Sequence, residues 1–64
     1  MEIIVNGANR SVNFKDVADL LKEEDLDPKL VVVEVNGKIL PKDQYNQPLR
    51  DGDAVEIVQF VAGG

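Results

Sequence analysis

The chain has 64 residues, twelve acidic and seven basic, for a formal net charge of -5, with neither Cys nor His. This length suits one small domain with a single core, near the size at which folding buries only about 60% of the unfolded surface. The composition excludes disulfides, thiol nucleophiles and a conventional zinc site, and its acidic balance argues against a nucleic-acid partner and for a basic or apolar protein surface.

The first residues, Met1-Glu2-Ile3-Ile4-Val5-Asn6, carry no basic region, and their apolar run stops after three positions. They read as neither signal peptide nor membrane span, and a cytoplasmic location is expected. Ile3-Ile4-Val5 is β-branched and runs into Asn6-Gly7, a pair suited to the positive φ angles of a tight hairpin; Arg10-Ser11-Val12 reads as the return strand. Alternation sends Ile3, Val5 and Val12 to one face and Ile4 to the other.

Asn13 is a suitable helix N-cap, with Asp16 three residues on, and Phe14, Val17, Ala18 and Leu21 recur at helical spacing, widened by Leu20. The spacing predicts an amphipathic helix from Phe14 to Glu24, with Lys15, Asp19, Lys22 and Glu23 on its wet side. The acidic run Glu23-Glu24-Asp25 sits at the negative end of the helix dipole, and Asp27-Pro28 marks the stop.

Leu30-Val31-Val32-Val33-Glu34-Val35 is the strongest strand signal and leads through Asn36-Gly37 to Lys38-Ile39-Leu40, a second hairpin. Val31, Val33 and Val35 are expected in the core, Val32 and Glu34 on the opposite face. Pro41 to Pro48 reads as an irregular crossover with one helical turn near Lys42 to Tyr45, Tyr45 packing inward and Leu49 returning to the core. Arg50-Asp51-Gly52-Asp53 is a turn, and Ala54 to Val61 the last strand, with Val55 and Ile57 inward and Val58 and Phe60 outward. Both first and last strands are apolar enough to be central, so a mixed sheet of four or five strands packed on one helix, a β-grasp of the α+β class, satisfies every apolar stripe. The whole chain, 1–64, is read as this one domain, with residues 61–64 as a flexible Gly-Gly tail.

That tail is the first functional candidate. Val61-Ala62-Gly63-Gly64 follows the last strand without a turn signal, and glycine at both final positions leaves the terminal carboxylate unflanked, so that an extended backbone fits a narrow channel of another protein. The second is the outward apolar set Ile4, Val32, Val58 and Phe60, a docking patch on the sheet face that the helix leaves bare. No catalytic constellation is legible: Asp51-Gly52-Asp53 lacks the further ligands of a calcium loop, and Gly7, Gly37 and Gly52 each follow Asn or Asp as in turns rather than phosphate cradles.

The Val17-Ala18-Asp19-Leu20-Leu21 helix, the Val35-Asn36-Gly37 hairpin, Leu49-Arg50-Asp51-Gly52-Asp53 and Val55-Glu56-Ile57-Val58-Gln59-Phe60-Val61-Ala62-Gly63-Gly64 together resemble the ubiquitin-related sulfur carrier proteins, most closely the thiamine-biosynthesis (ThiS) family. Ala62 departs from the third glycine frequent in that family and brings the end nearer the Val-Ala-Gly-Gly type of the molybdopterin-synthase small subunit.

The resemblance implies a protein cosubstrate and not an enzyme. A ThiF-like, E1-like adenylyltransferase using ATP and magnesium converts the Gly64 carboxylate to an acyl adenylate. A persulfide sulfur, ultimately from cysteine through a cysteine desulfurase or similar donor, displaces AMP. The resulting thiocarboxylate then serves a ThiG-like thiazole synthase. Gly63 and Gly64 supply the passage, Val61 and Ala62 position it, and the chain itself is expected to bind no cofactor or metal. A molybdopterin-type carrier, a non-catalytic β-grasp interaction module and a protein modifier forming isopeptide bonds remain open beside this reading.

Overall fold

The structure is a computed structural model and describes residues 1–60. Five strands and one helix follow in the order β1 (Glu2–Val5), β2 (Ala8–Ser11), α1 (Val17–Glu23), β3 (Val31–Val35), β4 (Lys38–Ile39) and β5 (Ala54–Gln59), with short 3-10 turns at Pro28–Leu30 and Lys42–Gln44. In space the strands run β2-β1-β5-β3-β4. The last strand therefore lies in the middle, parallel to β1 and antiparallel to β3, and α1 covers one face: the expected β-grasp.

Both Asn-Gly pairs make the turns their chemistry favours. Asn6 and Gly7 have φ of 48° and 83°, Asn36 and Gly37 53° and 83°, the double positive φ that matches the twist of a two-residue hairpin. In the first hairpin so tight a turn lets pairing resume at once, with Val5 opposite Ala8. The return strand is accordingly Ala8–Ser11 rather than Arg10 to Val12. Val12 follows it, buried as expected, its N–H donating to the Met1 carbonyl at 2.8 Å.

The helix is shorter than its apolar spacing suggests. Residues 13–16 do not join it, and the N-cap is Asp16, not Asn13: Asp16 has extended backbone (φ -144°, ψ 171°) and its Oδ1 accepts from the Asp19 N–H at 2.8 Å. The preceding backbone is engaged by the crossover instead, the Leu49 N–H donating to the Lys15 carbonyl at 2.7 Å and Asp16 bridging to Pro48. At the other end the chain leaves the helix before Pro28 is reached. Asp25 adopts φ 57°, its N–H donates to the Lys22 carbonyl (3.1 Å), and the Leu26 N–H donates to that of Leu21 (2.9 Å), a Schellman closure with Asp where Gly is usual. Asp27 caps the 3-10 turn through the Lys29 N–H, so Leu30 closes that turn and β3 starts at Val31.

One core fills the space between sheet and helix: Ile3, Val5, Val12, Val17, Leu20, Leu21, Val31, Val33, Tyr45, Leu49 and Val55, with Val35 and Ile57 half-buried against it. The crossover is tied down by Lys42, whose Nζ donates to the Pro28 carbonyl and, at 3.0 Å, to that of Val31.

Candidate functional site: the central strand and the bare face of the sheet

β5 is gripped on both edges by the side chains of the two hairpin turns. On the β3 side Asn36 Oδ1 accepts from the Ala54 N–H (2.9 Å) while its Nδ2 donates to Asp53 Oδ1 (2.9 Å). On the β1 side Asn6 Oδ1 accepts from the Ile57 N–H at 2.8 Å, after the Asn6 N–H has donated to the Val55 carbonyl at 2.9 Å. Asp53, which also accepts from the Arg50 N–H (2.8 Å), fixes the turn that starts the strand. These contacts set the direction in which β5 leaves the sheet, and neither Asn-Gly pair reveals them in sequence, since each is explained by its own turn.

The two edges end at different heights. β1 pairs with β5 only at Ile4–Ala54 and Val5–Val55 and then turns away, whereas β3 accompanies β5 to Val31–Gln59, and the Phe60 N–H still donates to the Leu30 carbonyl at 2.8 Å. β5 is thus a six-residue strand ending at Gln59, with Phe60, the last described residue, beyond it; the expected end of the strand at Val61 falls outside the described residues. The expected threading segment Val61, Ala62, Gly63 and the acceptor Gly64 lie outside the described residues.

On the bare face the register settles which side chains meet. Val32 stands directly opposite Val58, and Leu30 follows beside Phe60. Val58 and Phe60 are 53% and 54% exposed, so both point outward as expected, and Val32 is half-buried between its neighbours. Ile4 shares the face but not the cluster. It is opposite Ala54, four residues along β5 from Val58 and therefore about 13 Å away, with the Glu56 row between. Ile4 instead borders a shallow pocket with Glu2, Asn9 and Asp51. Sequence reasoning passed over two apolar members, Leu30 and Ile39; Ile39, opposite Glu34 and 69% exposed, was legible only as part of a strand whose register was unknown.

Between the apolar rows Glu34 faces Glu56 across the β3–β5 ladder. The one ion pair among the described residues, Arg10–Glu24, is elsewhere. No group of three or more potential metal-ligating side chains gathers among the described residues, and no described helix is long and apolar enough to cross a membrane.

Comparison with known proteins bears on the whole of this arrangement. The model of the ThiS family matches residues 3–64. A sulfur carrier protein ThiS of Bacillus subtilis is 45% identical over 49 residues, covering 75% of this chain and 74% of that protein. A thiazole synthase of Paramagnetospirillum magneticum is 41% identical over 66 residues, spanning all of this chain but only 20% of the synthase. The crystal structure of a thiamine biosynthesis protein (ThiS) from Geobacter metallireducens superimposes with a TM-score of 0.80 at 33% identity, covering 100% of both chains.

Proposed function

The chain belongs to the ThiS family, the sulfur carriers of thiamine biosynthesis, and on that premise we propose that it works as a protein cosubstrate whose Gly64 carboxylate is adenylated, thiocarboxylated and spent in thiazole formation. The observation that carries this reading is the position of β5: the strand that leads in sequence to Gly63-Gly64 is the central one, held on both edges by Asn6 and Asn36. A scaffold of this kind fixes where Phe60 leaves the sheet relative to the docking face.

The chemistry needs nothing further from this chain. A carboxylate is a poor electrophile; attack of its oxygen on the α-phosphorus of ATP, releasing pyrophosphate, makes an acyl adenylate with AMP as leaving group. The outer sulfur of a persulfide displaces AMP to give an acyl disulfide. A second thiol of the donor or activating protein then attacks the sulfur–sulfur bond, forming a disulfide with the donor's sulfur and releasing the thiocarboxylate. ATP and magnesium belong to an E1-like, ThiF-like adenylyltransferase, the sulfur to a desulfurase-type donor. The narrow Gly63-Gly64 end suits passage into such active sites, with Val61 and Ala62 setting its reach. Docking runs through Val32, Val58 and Phe60 on the strands next to that end.

A thiazole synthase as the recipient is supported by the relative that contains a stretch like this chain within a longer synthase. Where carrier and synthase share one polypeptide, their meeting is built in. A cytoplasmic location follows from the cytosolic chemistry of ATP and persulfide.

The test is reconstitution. Incubation with the adenylyltransferase, magnesium ATP and a persulfide donor is expected to add about 16 Da, carried by a C-terminal fragment so that oxidation of Met1 is not mistaken for it. Deleting Gly64 should abolish the gain, and thiazole formation on adding the synthase separates this pathway from molybdopterin synthesis. Higher-mass conjugates in place of the thiocarboxylate would instead support a protein modifier.

A further inference from the structure

Glu34 and Glu56 are directly opposed in the antiparallel β3–β5 ladder, on the face that α1 does not cover. The neighbouring Phe60–Leu30 and Asn36–Ala54 backbone bonds fix the phase, so Glu34 and Glu56 form a hydrogen-bonded pair with Cα atoms about 5.5 Å apart. Like charges in that relation repel. No basic group lies within ion-pair distance of either among the described residues, and residues 61–64 carry no basic side chain. The register sets two acidic residues opposite each other with no ion-pair partner among the described residues.

Their surroundings give the pair a use. On one side lie Val32 and Val58, then Leu30 and Phe60; Ile39 flanks Glu34 on the β4 edge. A partner that covers these apolar side chains also takes the carboxylates out of water. Removing two like charges from solvent without a counter-ion costs more than the apolar contact returns. A partner that brings a cation to that spot offsets this cost directly.

We propose that the Val32, Val58 and Phe60 face is read by a thiazole synthase surface that seats a Lys or Arg side chain between Glu34 and Glu56. The pair is then a specificity device: it excludes an apolar or acidic surface of the right shape and admits one with a cation in register. A guanidinium suits it best, since its fork can donate to two carboxylates at once. The inference rests on the carrier reading above and adds the chemistry of the surface that reads it.

The experiment titrates the purified full-length protein with the thiazole synthase of the same organism at low and moderate ionic strength. Glu34→Gln, Glu56→Gln and the double variant are compared with wild type, and each is also melted alone. Removing one charge should raise the Tm of the free protein by about 1 to 4 °C, because the repulsion is relieved. The same change should weaken binding about tenfold or more and flatten its salt dependence. Opposite signs in stability and affinity are what a merely structural role does not produce. Unchanged affinity and salt dependence in the double variant, with wild type binding normally, overturns this inference and leaves the carrier reading intact. Failure of the wild-type protein to bind the synthase overturns both.

Discussion

Asn6 Oδ1 accepts the Ile57 backbone N–H at 2.8 Å, the last bond on the β1 edge of the central strand among the described residues. Asn6 also holds φ 48° in the first hairpin, so one side chain serves two ends: it tolerates the turn and closes the edge. Two substitutions separate these roles. Asn6→Gly keeps the turn and loses the bond, and should cost about 1 kcal/mol in urea unfolding. Asn6→Ala loses both, and should cost about 1 kcal/mol more, since a Cβ disfavours the left-handed region. Equal losses in the two variants would contradict the double role.

Asp25 occupies the C′ position of the helix at φ 57°, where glycine is the usual residue. It also adds negative charge at the negative end of α1, directly after Glu23 and Glu24. Asp25→Gly removes both penalties, offset in part by the greater freedom of glycine in the unfolded chain. The expected net effect is stabilisation by about 0.5 kcal/mol, or roughly 2 to 4 °C in Tm. Asp25→Val should destabilise, as a β-branched side chain resists this geometry.

Asp25 and Asn6 also mark the boundary of what a sequence of this kind discloses. Alternation in Ile3 to Val5, Val31 to Val35 and Val55 to Phe60 was enough to orient the core, and the two Asn-Gly pairs were enough to locate both hairpins. The helix start was not legible, because Asn13 and Asp16 are both competent caps. The choice fell to Leu49 and Pro48, which engage residues 15 and 16 from more than thirty positions away. The same limit governs the docking face. Facing sides follow from alternation, but neighbours follow from register, which separates Ile4 from Val58, joins Leu30 to Phe60 and sets Glu34 against Glu56.

Burial on the two faces of β5 and α1 gives contrasting expectations. Leu20 is fully buried, and Leu20→Ala should cost about 2 to 5 kcal/mol by transfer and cavity terms together, enough to threaten a domain of this size. Val58 is 53% exposed, and Val58→Asp should change chemical stability by less than about 1 kcal/mol while weakening capture by the thiazole synthase. Thermal melts and binding titrations of the two variants check this; a large loss of stability in Val58→Asp would count against an outward Val58.

Tyr45 predicts how stability responds to alkali. Burial pushes its phenol above the ordinary value of 10.0, opposed in part by a hydrogen bond from the Val33 backbone. In the unfolded chain the same phenol ionises at its ordinary value. Below that pH both states hold the proton, and the full advantage of burying a neutral ring is present. As pH rises past 10.0 the unfolded chain releases its proton first, so the unfolded state gains, and stability falls until the folded phenol ionises in turn. Lysines titrate over the same range, which makes the control essential. Tyr45→Phe keeps the buried ring and removes the titrating hydroxyl, and should show a shallower decline above pH 10 than the wild-type protein. Parallel declines in urea unfolding across that range would assign the alkaline sensitivity to the lysines and remove Tyr45 from it.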